Sequence, residues 1–100
     1  MKMYILVLED VPSGFAVNSV AHAALACYLE NKDNKDMQDW LANSFKKVTC
    51  KVTQSELEAA MPAGGYTLIT ESALGGRLNA VAFCPRAEWP EVFKTFKLYK

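Results

Sequence analysis

The chain has 100 residues, of which 51% are apolar and 22% charged, the profile of one small globular domain spanning residues 1–100 with no room for a second. A chain this long buries roughly 65% of its unfolded surface, enough for one core without disulfide or metal staples. Eleven basic side chains balance eleven acidic ones, which argues against an overall electrostatic grip on nucleic acid or anionic lipid.

The opening run Tyr4–Leu8 is apolar on both alternating faces, which predicts a central strand covered on both sides. Glu9-Asp10 cut this run off too early for a signal peptide or a membrane span. The turn chemistry of Asp10-Val11-Pro12-Ser13-Gly14 leads into a helix that Ser13 is placed to cap and that runs to about Glu30. Val17, Val20, Ala21, Ala24 and Tyr28 recur along it at three-to-four spacing, while Ala16, Ala23, Ala26 and Cys27 keep the rest small and apolar, so burial on more than one side is expected. The polar stretch Glu30 to Asp39 has the composition of a loop between helices. Over Asn34 to Ser44, Met37, Trp40 and Leu41 share the apolar face of a short amphipathic helix. Lys46 to Val52 alternates as a half-exposed strand whose lysines suit a sheet edge.

Thr53-Gln54-Ser55-Glu56 is a capping box opening a short helix that Pro62-Ala63-Gly64-Gly65 ends. Tyr66–Thr70 and Leu78–Phe83 flank Gly75-Gly76 as an antiparallel hairpin, with Pro85 closing the second strand. A last helix is expected from Glu88 to about Thr95, with Pro90 in its first turn and Trp89, Val92 and Phe96 on the sheet. The order implies an α/β fold, a three-layer sandwich with a mixed four-stranded sheet between helices. Charge is uneven along it: residues 1–44 carry three basic and six acidic groups, and residues 45–100 eight and five.

Cys27, Cys50 and Cys84 are odd in number, widely spaced and without a CxxC pair. They specify neither a disulfide framework nor a zinc site, and a reducing, cytoplasmic setting is expected. No metal and no cofactor is implied.

The first strand, the loop Glu9-Asp10-Val11-Pro12-Ser13-Gly14 and the helix start Phe15-Ala16-Val17-Asn18-Ser19-Val20-Ala21-His22-Ala23-Ala24 together resemble the opening of the peptidyl-tRNA hydrolase II superfamily. The capping box at Thr53 and the late strand ending in Cys84-Pro85 fall in the same order. The Pro-Ser-Gly-Phe-Ala-Val-Asn form is closer to an uncharacterised branch than to the active hydrolases. The resemblance implies a helix start with a lysine after the glycine and a glutamine four residues on. Here those positions read Phe15 and Ser19, with Gly14, His22 and Ala23 kept. It also implies an acidic segment after the third strand and a threonine opening the fourth; here these are Glu71-Ser72-Ala73 and, by count back from Pro85, Asn79. Homodimers are common in the resembling family.

Ester hydrolysis on tRNA needs a placed water, a base or polarising group, oxyanion donors and cationic contacts to phosphate. With lysine and glutamine both replaced, the expected function is a binding or protein-interaction module for a small-molecule or protein ligand, without hydrolase activity. The alternative is a surviving peptidyl-tRNA hydrolase with Glu71 and His22 as its catalytic residues. A third reading is a tRNA binder acting through Lys94, Lys97 and Lys100, which the neutral charge disfavours. The ligand-binding candidates are Ser13 and Gly14 at the helix start, Asn18, Ser19 and Asn79.

Each has a plainer reading. A lone histidine in an alanine-rich helix is more often structural, and Asn18, one turn before it, either lines a polar pocket with it or binds loop backbone. A glutamate ending a hairpin strand is more often a solvated turn residue. Trp40, Trp89, Phe93 and Phe96 have the spacing of core packing rather than of a base-stacking platform.

Overall fold

The computed structural model describes residues 1–100. Its strands are β1 (Lys2–Leu8), β2 (Lys46–Val52), β3 (Tyr66–Glu71), β4 (Arg77–Arg86) and β5 (Lys97–Leu98), and its helices α1 (Ser13–Asn31), α2 (Lys35–Asn43) and α3 (Gln54–Ala60). One mixed sheet runs in the order β3-β4-β1-β2-β5. β1 is parallel to β2 and antiparallel to β4, while β3 and β5 pair antiparallel with β4 and β2.

The sheet thus has five strands, not four. β5 is only two residues long, and Lys97 pairs with Lys51 and Leu98 with Cys50, so β2 is an edge over its first half alone. No periodicity marks a two-residue strand; the neighbour's free hydrogen-bonding groups create it. β1 is central and buried from Met3 to Leu8, as a strand without alternation should be. The hairpin follows its turn chemistry, with Gly75 and Gly76 at φ +74° and +76°, where a side chain would strain the backbone. Pro85 does not close β4, which continues to Arg86. The proline is accommodated because the register with β1 slips there, from Tyr4 opposite Phe83 to Lys2 opposite Arg86, and a proline needs a place where no ladder N–H is required.

The helices follow the sequence in outline and depart from it at their ends. Ser13 does not cap α1: Pro12 precedes the first turn, and no side chain closes it. The polar stretch from Glu30 is mostly helical, because Asn34 accepts a hydrogen bond from the Met37 amide and starts α2; only residues 32–34 form the loop. Thr53 and Glu56 form the capping box, at 3.1 and 2.9 Å. The last helix is a five-residue 3-10 turn, Glu91–Thr95. Phe93 is the turn's one buried residue, with buried Trp89 before it and buried Phe96 at its extended C-terminal end, while Val92 is half-buried. Trp40, Trp89, Phe93 and Phe96 all lie in the core.

Two groups of side chains seat these elements. Ala16, Ser19, Ala23 and Cys27 form the buried stripe of α1, against the fully buried Ala80 and Ala82 of β4. Small residues on both partners allow close approach. The Thr67 hydroxyl donates to Glu30 at 3.0 Å and ties the last turn of α1 to β3. On the alternate residues of the strands, Tyr4 and Phe83 pack edge-on against Phe93 at 5.1 Å between centroids, with Trp89 at 4.8 Å from Tyr4. α1 is not buried on more than one side: Val17 and Leu25 are 68% and 58% exposed. No helix is long and apolar enough to cross a membrane.

Candidate functional site

Because β1 and β2 are parallel and in register at Leu8 and Val52, their carboxyl ends lie side by side. The chain leaves one toward α1 and the other toward α3, and the Glu9 amide bonds the Val52 carbonyl at 2.9 Å to hold the two exits together. Crevices beyond the carboxyl ends of parallel strands are where ligands settle in open α/β sheets. Here the crevice is a cavity of about 200 Å³ lined by Leu8, Glu9, Asp10, Val52, Gln54 and Arg77.

Arg77, the first residue of β4, spans its mouth. The guanidinium donates two parallel hydrogen bonds to the Asp10 carboxylate, 3.0 Å from Nη1 to Oδ2 and 2.6 Å from Nη2 to Oδ1, the fork geometry of a strong pair. These bonds hold the Asp10 carboxyl below its usual range and raise the arginine. In the strand register Arg77 stands opposite Glu71, yet it turns away from it. Glu71 accepts instead from the Ala73 amide at 3.0 Å and caps its own turn.

Of the candidates read from the sequence, the structure brings together Ser19 and Asn79. The Asn79 amide donates to the Ser19 hydroxyl at 3.1 Å with both side chains buried. A β-bulge makes this meeting: Ile69 pairs with Ala80 and Thr70 with Leu78, so Asn79 is the extra residue of β4. Strict alternation would aim it away from its neighbour Ala80; a bulge lets both face α1. Its Oδ1 is buried with no hydrogen-bond partner.

The remaining candidates are dispersed. His22 and Asn18 lie on the exposed side of α1 and Ser13 and Gly14 are exposed at its start. None of the seven lines a cavity. Phe15, at the position the resemblance gives to lysine, is half-buried against the core. Of the lysines, Lys94 is paired with Glu91 at 3.0 Å, while Lys97 and Lys100 share an open hollow with Lys51. No three His, Cys, Asp or Glu side chains converge as a metal site would require.

The loop after β1 and the start of β4 line the crevice; its other wall is Val52 and Gln54, not α1. Arg77 and Gln54 were missed. A charge directly after Gly75-Gly76 was the one available signal for Arg77.

The family model for peptidyl-tRNA hydrolase PTH2 matches residues 1–63, from β1 through α3. The chain belongs to the PTH2 family. No curated protein matches the sequence closely enough to report. The PTH2 match covers Asp10, the α1 start and Gln54 but ends before β3, so Glu71, Arg77 and Asn79 of this PTH2 domain stand on geometry alone.

Proposed function

We propose that this PTH2-family domain binds a small polar group or a protein partner and does not hydrolyse peptidyl-tRNA. The supporting observation is the engagement of the charged groups around the crevice. Its one cation is forked onto Asp10, Glu71 lies off the cavity and caps its own turn, and the single imidazole lies on the outer side of α1; of the lining carboxylates only Glu9 has no side-chain partner. Hydrolysis requires a base within hydrogen-bond reach of a water held against the reacting carbonyl, and neither His22 nor Glu71 faces the cavity. The size points the same way. At about 200 Å³ the crevice is smaller than the 300–1,000 Å³ of roughly drug-sized sites, so it takes a group rather than a large molecule. Three buried free thiols suit a reducing, cytoplasmic setting.

One observation favours the enzymatic alternative: Glu71 and Arg77 are cross-strand partners, and a guanidinium released from Asp10 would put a cation beside that carboxylate. An assay of peptidyl-tRNA turnover decides, run beside a salt titration of tRNA binding. The expected result is no release of peptide above the uncatalysed rate, for wild type and for Asp10→Asn alike. Release that is lost in Glu71→Ala or in Arg77→Gln overturns the proposal. Tight tRNA binding that falls steeply with salt and weakens in a Lys97→Ala, Lys100→Ala double variant overturns it in favour of a nucleic-acid binder.

A further inference from the structure

Between α1 and α2 runs a groove of about 320 Å³ with an almost wholly apolar lining: Ala21, Ala24 and Leu25 of α1 face Trp40 and Leu41 of α2, with Phe45 of the α2–β2 turn beside them. From Val11 to Leu29 the sequence contains no Asp, Glu, Lys or Arg, so α1 brings no charge to it. Phe45 is the one non-glycine residue at positive φ, +62°. It takes the left-handed position that closes α2, its amide bonded to the Trp40 carbonyl at 2.7 Å, where glycine or asparagine is usual. The strained residue does not bury its ring in return, since Phe45 is 57% exposed. Strain kept for a side chain that the core does not use points to a use outside the core.

Lys47, two residues on, is the one charged group of the lining. Its ammonium lies 3.5 Å from the centroid of the Phe45 ring and 5.2 Å from that of Trp40, and it donates to the Phe45 carbonyl at 2.8 Å. Backbone and both rings thus hold the cation beside the groove. No carboxylate reaches it, because the ion pairs of the chain are Arg77–Asp10 and Lys94–Glu91, and two of its three N–H donors stay unspent. The Trp40 N–H is not free in the same way, being bonded to the Lys46 carbonyl at 2.7 Å. Burial lowers the Lys47 pKa, a cost to its charged form that an anionic neighbour offsets.

We infer that this groove is a binding site for a small amphipathic carboxylate, an alkyl chain or aromatic ring bearing one carboxyl group, whose apolar part lies between α1 and α2 and whose carboxylate accepts from Lys47. The volume stands at the lower end of the roughly 300–1,000 Å³ of ligand sites, which suits a short chain or one or two rings. Apolar walls with one placed polar group are the usual make-up of such a site. A neutral ligand would leave the ammonium unanswered, and a cation would be repelled by it. A peptide would bring backbone N–H and C=O groups into the groove, and beyond Lys47 the lining has only the Tyr28 phenol to meet them.

An NMR titration of the full chain with decanoate below its micelle concentration tests the inference, with decanol and decyltrimethylammonium as the neutral and cationic counterparts. It does not depend on any activity of the Asp10–Arg77 crevice, which shares no lining residue with the groove. Decanoate should move the indole resonance of Trp40 and leave in place that of Trp89, which does not line the groove. It should bind about 10-fold more tightly than decanol, with decyltrimethylammonium the weakest of the three. Lys47→Gln should weaken decanoate by about 10-fold and leave decanol unchanged. Phe45→Gly, which fits the backbone without strain and so keeps the fold, should weaken both by about 10-fold with an unchanged circular dichroism spectrum. Equal affinity for the three probes, no movement at Trp40, or decanoate binding that either variant leaves intact overturns the inference. So does uptake of phosphatidylcholine vesicles or of an apolar peptide without uptake of decanoate, or a decanoate affinity that falls as protein concentration rises, the sign that a second copy fills the groove.

Discussion

The guanidinium of Arg77 has two carboxylates to choose from, Glu71 across the hairpin and Asp10 at the end of β1, and it sits on Asp10. The Asp10 side chain is 68% exposed, so the pair contributes little to stability; its effect is to fix which charges the crevice presents. Arg77 holds the Asp10 carboxyl below the usual 3.8. A carboxyl depressed in the folded state contributes its share above the unfolded value and loses it as pH falls through the folded one. An NMR titration should therefore show Asp10 ionising at lower pH than an ordinary aspartate, and Arg77→Gln should return it to the ordinary range. An Asp10 that titrates normally in wild type shows the fork to be broken in solution. Neither partner was legible as a pair, since 67 positions separate them and charge in a loop has no periodicity to read. Ser19 and Asn79 are similar. The sequence supplies both side chains, but the bulge that turns Asn79 under α1 exists only in the pairing of β3 with β4.

Among the elements, α3 is the one whose start is written entirely in neighbouring residues. Thr53 and Glu56 satisfy each other's backbone donors, and loss of such a cap costs about 1 kcal/mol. Thr53→Ala should lower the thermal midpoint by roughly 4–8 °C, a shift read by calorimetry; an unchanged midpoint would mean that packing of Leu57 and Ala60 alone holds the helix. Elements of this kind were legible in advance: the capping box, the Gly75-Gly76 hairpin and the central β1 each follow from local chemistry. Those set by distant partners were not. β5 exists because β2 has hydrogen-bonding groups to satisfy, and the 3-10 turn before it follows from how Phe93 must meet Tyr4 and Phe83, with Phe96 packed on Phe93. α1 is the instructive intermediate case. Its sequence is apolar on every side, so periodicity could identify the helix but not its inner face. The small stripe won that place because Ala80 and Ala82 leave room for nothing larger.

For the molecule as a whole, the thiols offer a measure of how firmly the core is closed. Cys27 on α1, Cys50 on β2 and Cys84 on β4 belong to a single cluster of 25 buried residues. Burial pushes Cys27 from the usual 9.0 up to about 12 and Cys50 up to about 11, and raises Cys84 as well. An acid whose folded value is raised contributes stability in full below its unfolded value and loses it as pH rises toward the folded one. In the unfolded chain these thiols ionise near pH 9.0, so stability should be flat from neutrality to about that point and then decline toward pH 12. Lys47 works in the opposite direction, since burial lowers its pKa, but it is one exposed side chain against three core thiols. Urea titrations across this range should show the midpoint falling above pH 9.0, and a Cys27→Ala, Cys50→Ala double variant, less stable at neutral pH, should show a shallower decline. The two small replacements leave cavities, and that loss does not vary with pH, so the slope separates ionisation from packing. An equally steep decline in the double variant would place the alkaline sensitivity elsewhere in the chain.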